Sequence, residues 1–74
     1  MKVGDVVMFV DEGSYKEHFY GKIGKVARSR VNKSGEQYVN VLWFHPVKYY
    51  ESYTESSSFK ASNFKLMIEA DETS

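Results

Sequence analysis

The chain has no cysteine, a single proline and only two histidines in 74 residues, and each shortage removes a class of chemistry. Without cysteine there is neither a disulfide framework nor a thiolate metal site to compensate for a small core, and nothing marks an oxidising compartment. The histidines, His18 and His45, stand 27 residues apart outside any Cys/His or H-x-x-x-H pattern, so no metal is expected. No apolar run reaches the roughly 18 residues of a membrane span. The opening MKVGDVVMFVDEG carries an early charge pair and no signal-length apolar stretch, so a cytoplasmic location is the default expectation. A phosphate-cradling G-x-x-x-x-G-K-[ST] loop is also missing. Asp11-Glu12 reads as a solvated loop tip, Ser56-Ser57-Ser58 has no matched base, and Asn32-Lys33-Ser34 is a chance match to a glycosylation acceptor. Neither an enzyme nor a cofactor is expected.

What the chain does have is rings. Six tyrosines, five phenylalanines and one tryptophan supply a core to a domain so short that it buries only about 60% of its unfolded surface. Net charge is zero but unevenly laid out. Lys22, Lys25, Arg28, Arg30 and Lys33 share one acid-free stretch, whereas Glu69, Asp71 and Glu72 crowd the end; residues 1–68 hold ten bases and seven acids, a surplus of three. That is a mildly basic body, short of the balance usual for a dedicated nucleic-acid binder. One domain over residues 1–69, with an acidic flexible tail over 70–74, is the expected organisation.

Patterning points to strands. VVMFV, Val6 to Val10, is β-branched and aromatic and follows a Gly4-Asp5 turn, so it reads as the first strand. DEGSYKEHFYG lacks sustained alternation and reads as a long loop ending at Gly21. In KIGKVARSRV the apolar positions are irregularly spaced, which predicts a bent second strand with a bulge at Gly24. The turn cluster Asn32-Lys33-Ser34-Gly35 joins it to QYVNVLWF, where Tyr38, Asn40, Leu42 and Phe44 alternate with Val39, Val41 and Trp43. Pro46 has no N–H to donate and is expected to end this third strand, leaving His45 to Ser58 as a second long loop. Phe59 opens a short fourth strand, Ala61-Ser62-Asn63 forms one helical turn, and Phe64 to Ile68 closes. Five short strands without an amphipathic helix predict an all-β small barrel, since closing the sheet removes edges that so small a chain cannot cover. Its expected core is Val7, Phe9, Ile23, Val26, Val39, Val41, Leu42, Phe44, Phe64, Leu66 and Ile68. The glycines of YGKIGKV serve the chain's exit from the loop and a close backbone approach at the barrel corner.

Val3-Gly4-Asp5-x-Val7, then Gly21-x-x-Gly24-x-Val26, then a strand such as Tyr38–Phe44, resembles the opening of SH3-like barrels, including the KOW modules of transcription and ribosomal proteins. WFHPVKYY followed by SNFKLM is similar to the layout of the small ferredoxin-docking subunit of photosystem I. Phe59 with Leu66-Met67-Ile68-Glu69 is similar to the variable chain of ferredoxin-thioredoxin reductase. The resemblance covers most of residues 3–69 and implies a five-stranded SH3-like barrel with two long loops flanking one binding surface. Functions differ widely on that fold.

Two binding surfaces compete. Tyr15, Tyr20, Trp43, Tyr49, Tyr50 and Tyr53 could together recognise a protein segment, tyrosine offering large area with few rotors to freeze; the same rings could instead lid the barrel's ends. Lys22, Lys25, Arg28, Arg30 and Lys33 could contact nucleic-acid phosphates as in KOW modules, with a tyrosine or Trp43 stacking on a base, or could simply keep a solvent-facing strand soluble. The expectation is a non-enzymatic protein-binding module or accessory subunit, with nucleic-acid binding as the alternative.

Overall fold

The computed structural model describes residues 1–71, and the last three positions of the acidic tail lie outside the described residues. Five antiparallel strands form one sheet: β1 (Val6–Phe9), β2 (Ile23–Val31), β3 (Gln37–Tyr49), β4 (Ser52–Lys60) and β5 (Phe64–Ile68), in the spatial order β4-β3-β2-β1-β5. A single-turn helix, α1 (Lys16–Phe19), lies between β1 and β2, and a 3₁₀ turn (Ala61–Asn63) precedes β5 where a helical turn was expected. The sheet is not closed into a barrel; β4 and β5 remain its edges.

Three parts of the chain differ from the expected layout. The first long loop contains α1, four residues too few for any helical period to be visible in sequence. It forms because Phe19 is anchored in the core, at 3% exposure. The loop is clipped back onto β1 by hydrogen bonds from Gly21 N–H to Phe9 O (2.8 Å) and from Phe9 N–H to Lys22 O (2.9 Å). The second long loop is instead a hairpin: β3 runs on to Tyr49, and β4 returns from Ser52. Pro46 does not end the strand because it sits in a bulge. Between the pairs Leu42↔Ser56 and Val47↔Thr54, four residues of β3 face one of β4, so no ladder bond is required of the proline.

The third difference concerns Gly24. It pairs regularly with Val7 and Trp43, and the bulge lies further along, at Ala27, between Val26↔Val41 and Arg28↔Asn40. Gly24 is there for close approach: a Cβ would stand 2.7 Å from the Leu42 carbonyl oxygen and would overlap the Val41 side chain.

The core lies on one face of the sheet and holds Val7, Phe9, Phe19, Val26, Val39, Val41, Trp43, Val47 and Phe64. Phe9 is its centre, with ring centroids of Phe59, Phe64 and Phe19 at 4.9, 5.5 and 5.8 Å. Five expected core residues, Ile23, Leu42, Phe44, Leu66 and Ile68, are exposed instead. On β3 only one set of alternate residues can face inward, and the winning set is Val39, Val41 and Trp43. Trp43 stacks on Phe19 at 5.5 Å, and its indole N–H donates to Ser57 Oγ at 3.1 Å, so the larger ring is buried with its polar atom satisfied. Leu42 and Phe44 are thereby turned outward. Leu66 and Ile68 lie on the edge strand β5, where among the described residues no further strand pairs once the sheet stays open.

The start of β1 is fixed by a buried carboxylate. Asp5 accepts hydrogen bonds from the backbone N–H groups of Ala70 (2.8 Å) and Lys2 (2.9 Å). These bonds, Ala70's first, hold its carboxyl below the ordinary value of 3.8 against the opposing effect of burial.

Candidate functional site

The structure sorts the six candidate aromatic residues into three groups. Trp43 is 5% exposed and belongs to the core, so it presents no ring to a partner, and the protein-binding role expected of it is corrected. Tyr15 and Tyr49 roof the core. Tyr15 meets Phe59 at 5.3 Å and Tyr49 at 6.3 Å, while Tyr49 lies 5.6 Å from Phe19. Burial, followed by the neighbouring Tyr50 and Tyr15, pushes the Tyr49 phenol above its ordinary value. Tyr20, Tyr50 and Tyr53 are exposed, and Tyr15, although it roofs the core, also keeps 43% of its surface exposed. Tyr20 stands under the Lys16 ammonium, 5.8 Å from its ring centre, while Tyr50 and Tyr53 belong to the tip of the β3–β4 hairpin.

That tip has unusual geometry. The last pair of the ladder is Tyr49↔Ser52, leaving Tyr50 and Glu51 as a two-residue turn. Such turns suit the twist of the strands when the first central residue has positive φ, a place for glycine, asparagine or aspartate. Here it is Tyr50, with φ +57°, the one non-glycine residue with positive φ among those described. The residue is 69% exposed, and its ring meets Tyr49 at 4.6 Å and His18 of α1 at 5.0 Å. An open concavity of about 590 Å³, lined by Tyr49 through Thr54, borders it. Sequence reasoning weighed His18 only as a metal ligand; it enters here because α1 sets it 4.8 Å from Tyr49.

The cations are organised by the Ala27 bulge. In a regular strand Lys25 would face away from Arg28 and Arg30. The extra residue changes the phase, so Lys25 pairs with Leu42, Arg28 with Asn40 and Arg30 with Tyr38, all on the face opposite the core. Across β3 the ladder continues to Ser56, Ser58 and Lys60. None of these nine outward residues is acidic. Lys60 is bound to Glu36 at 2.7 Å, the hydrogen bond that raises the lysine and lowers the glutamate from their ordinary values. Arg28 and Arg30 have no ion pair among the described residues. They border a concavity of about 330 Å³ with Ser29, Tyr38, Asn40 and Ser58. Lys22 precedes β2 and Lys33 lies in the β2–β3 turn, so neither belongs to the row. Tyr38, half buried on this face, is the ring that sequence reasoning missed; pairing Arg30 with Tyr38 requires knowing the register.

Among the described residues, no cluster of three or more His, Asp or Glu side chains could hold a metal ion, and no helix is long and apolar enough to cross a membrane. No protein-family model, curated protein or solved structure matches the chain.

Proposed function

We propose that this chain is a non-enzymatic protein-binding module or accessory subunit, SH3-like in plan, that engages its partner through the β3–β4 hairpin tip. The observation that carries this reading is Tyr50, a large exposed ring in a backbone conformation that costs an L-residue roughly 1–2 kcal/mol. Strain of this kind clusters at ligand contacts and is balanced by the surrounding structure. Tyr53 is equally exposed. Tyr15 and Tyr49 act beneath the tip as its support. The strand order β4-β3-β2-β1-β5 and the 3₁₀ turn before β5 support the SH3-like plan. Affinity capture from source lysate on immobilised wild type, and on Tyr50→Asn/Tyr53→Ser protein of unchanged circular dichroism, tests it. A protein retained by the wild type and lost from the variant is expected. Retention of nothing, or equal retention by both, would overturn the tip as the contact.

A second reading is favoured by a separate observation, the gathering of Lys25, Arg28 and Arg30 on one face, where neither arginine has an ion pair among the described residues. That arrangement supports nucleic-acid binding by phosphate contact, with affinity that falls as salt rises. Lys22 and Lys33 at the ends of β2 would add to the field without lying on the row.

A further inference from the structure

We infer that the concavity on the outer face of β2, β3 and β4 is a single-strand site that takes an unpaired nucleotide on the Tyr38 ring. This deepens the nucleic-acid reading above and rests on it. Three features of the groove point to this ligand. Arg28 and Arg30 are same-face neighbours on β2 and lie opposite Asn40 and Tyr38, so two guanidiniums run alongside one aromatic ring. Neither arginine has an acidic partner among the described residues, and no acid lines the groove, which leaves both free to bind anionic oxygen in the bidentate manner of a guanidinium. Asn40 and Ser58, a directly opposed pair, add an amide with two donors and an acceptor and a hydroxyl that can do both. A phosphate alone would need no ring, and an apolar peptide would need no pair of unpartnered arginines.

The volume of about 330 Å³ lies at the small end of ligand sites, enough for one planar group and its phosphate rather than a folded surface. Single-stranded ligands are read by stacking unpaired bases on aromatic side chains while cations follow the backbone. A duplex keeps its bases stacked on one another and would offer Tyr38 no free face. Arg28 and Arg30 contact successive phosphates, Tyr38 stacks on the base between them, and Asn40 with Ser58 meets its edge or sugar. The Ala27 bulge is what makes the site, because without the change of phase Arg28 and Arg30 would follow Val26 onto the core face of the sheet.

Fluorescence anisotropy of the whole chain tests this with three probes: a labelled oligothymidylate of about ten nucleotides, within the range such sites span, a duplex of the same length, and a polyglutamate peptide. The single strand is expected to bind best, with log K falling against log salt at a slope of about 1.4 for two phosphates at about 0.7 each. Tyr38→Leu should weaken binding roughly ten-fold while Tyr38→Phe keeps it, since stacking needs a ring. Arg28→Gln with Arg30→Gln should flatten the salt slope. Equal binding of single strand and duplex, with Tyr38→Leu behaving as wild type, would overturn the stacking site and leave a merely cationic face. Equal binding of polyglutamate would likewise overturn it. No binding of any nucleic acid at low salt would overturn both this inference and the reading on which it rests.

Discussion

The two hairpin turns on either end of β3 solve the same geometric problem with opposite residues. In the β2–β3 turn every requirement is met by turn chemistry. Asn32 Oδ1 accepts from the N–H groups of Ser34 (3.0 Å) and Glu36 (2.9 Å), and the left-handed position, φ +85°, is held by Gly35. In the β3–β4 turn the left-handed position is held by Tyr50 at φ +57°, where asparagine or glycine would fit without cost. A turn that only had to reverse the chain would resemble the first. The second carries an exposed ring at the expense of backbone energy, and this contrast is what supports the proposal that this end meets a partner.

The comparison can be broken or sharpened by substitution, and Gly24 sets the scale. Gly24→Val should destabilise by about 3 kcal/mol, the upper range for overpacking, because the clash is with the β3 backbone at Leu42 and with Val41; urea denaturation measures it. At Asp5 one carboxylate ties two backbone N–H groups, as Asn32 does, and pH reads its contribution. Its folded pKa lies below the unfolded value of 3.8, so the stabilisation is full above that value and is lost as pH falls through 3.8 toward the folded pKa. Melting temperature should therefore drop on that acid limb, and Asp5→Asn should make the limb shallower.

Smaller effects separate the two turns directly. Gly35→Val should cost about 2 kcal/mol, since a β-branched residue is forced into the left-handed region. Asn32→Ala should cost about 1 kcal/mol for the two lost backbone contacts at an exposed site. At the other turn the sign should change: Tyr50→Asn should leave stability unchanged or raise it by about 0.5 kcal/mol, because asparagine tolerates positive φ. A β2–β3 turn indifferent to Gly35→Val, or a β3–β4 turn as sensitive as its counterpart, would remove the distinction.

How far the sequence revealed this follows from how local each feature is. The Asn32–Gly35 turn and the 3₁₀ turn before β5 were legible because their chemistry sits in consecutive residues. Arg28 and Arg30 could be placed on one face by period-two spacing alone. What joins Lys25 to them is a bulge at Ala27, a small residue with no signature of its own. Pro46 misled for the same reason, since a proline within a bulge looks in sequence like a proline after a strand. The facing of β3 was ambiguous because Leu42 and Phe44 are as apolar as Val41 and Trp43, although Asn40 in their set favoured the outer face; the choice is completed by Phe19 and Ser57, which are distant in sequence and supply the tryptophan's surroundings. The placing of the tyrosines was half legible: the residues were named, but which of them pack over the core depends on α1 and on the unforeseen length of the hairpin.

The denaturation midpoint of Tyr50→Asn tests the central claim most directly. If the Tyr50 ring is kept for contact with a partner, the variant unfolds at the wild-type urea concentration or slightly above it, with the slope of the transition unchanged. A midpoint lowered by the equivalent of about 1 kcal/mol or more would show that the ring stabilises the fold as a lid over His18 and Tyr49, and would contradict the account.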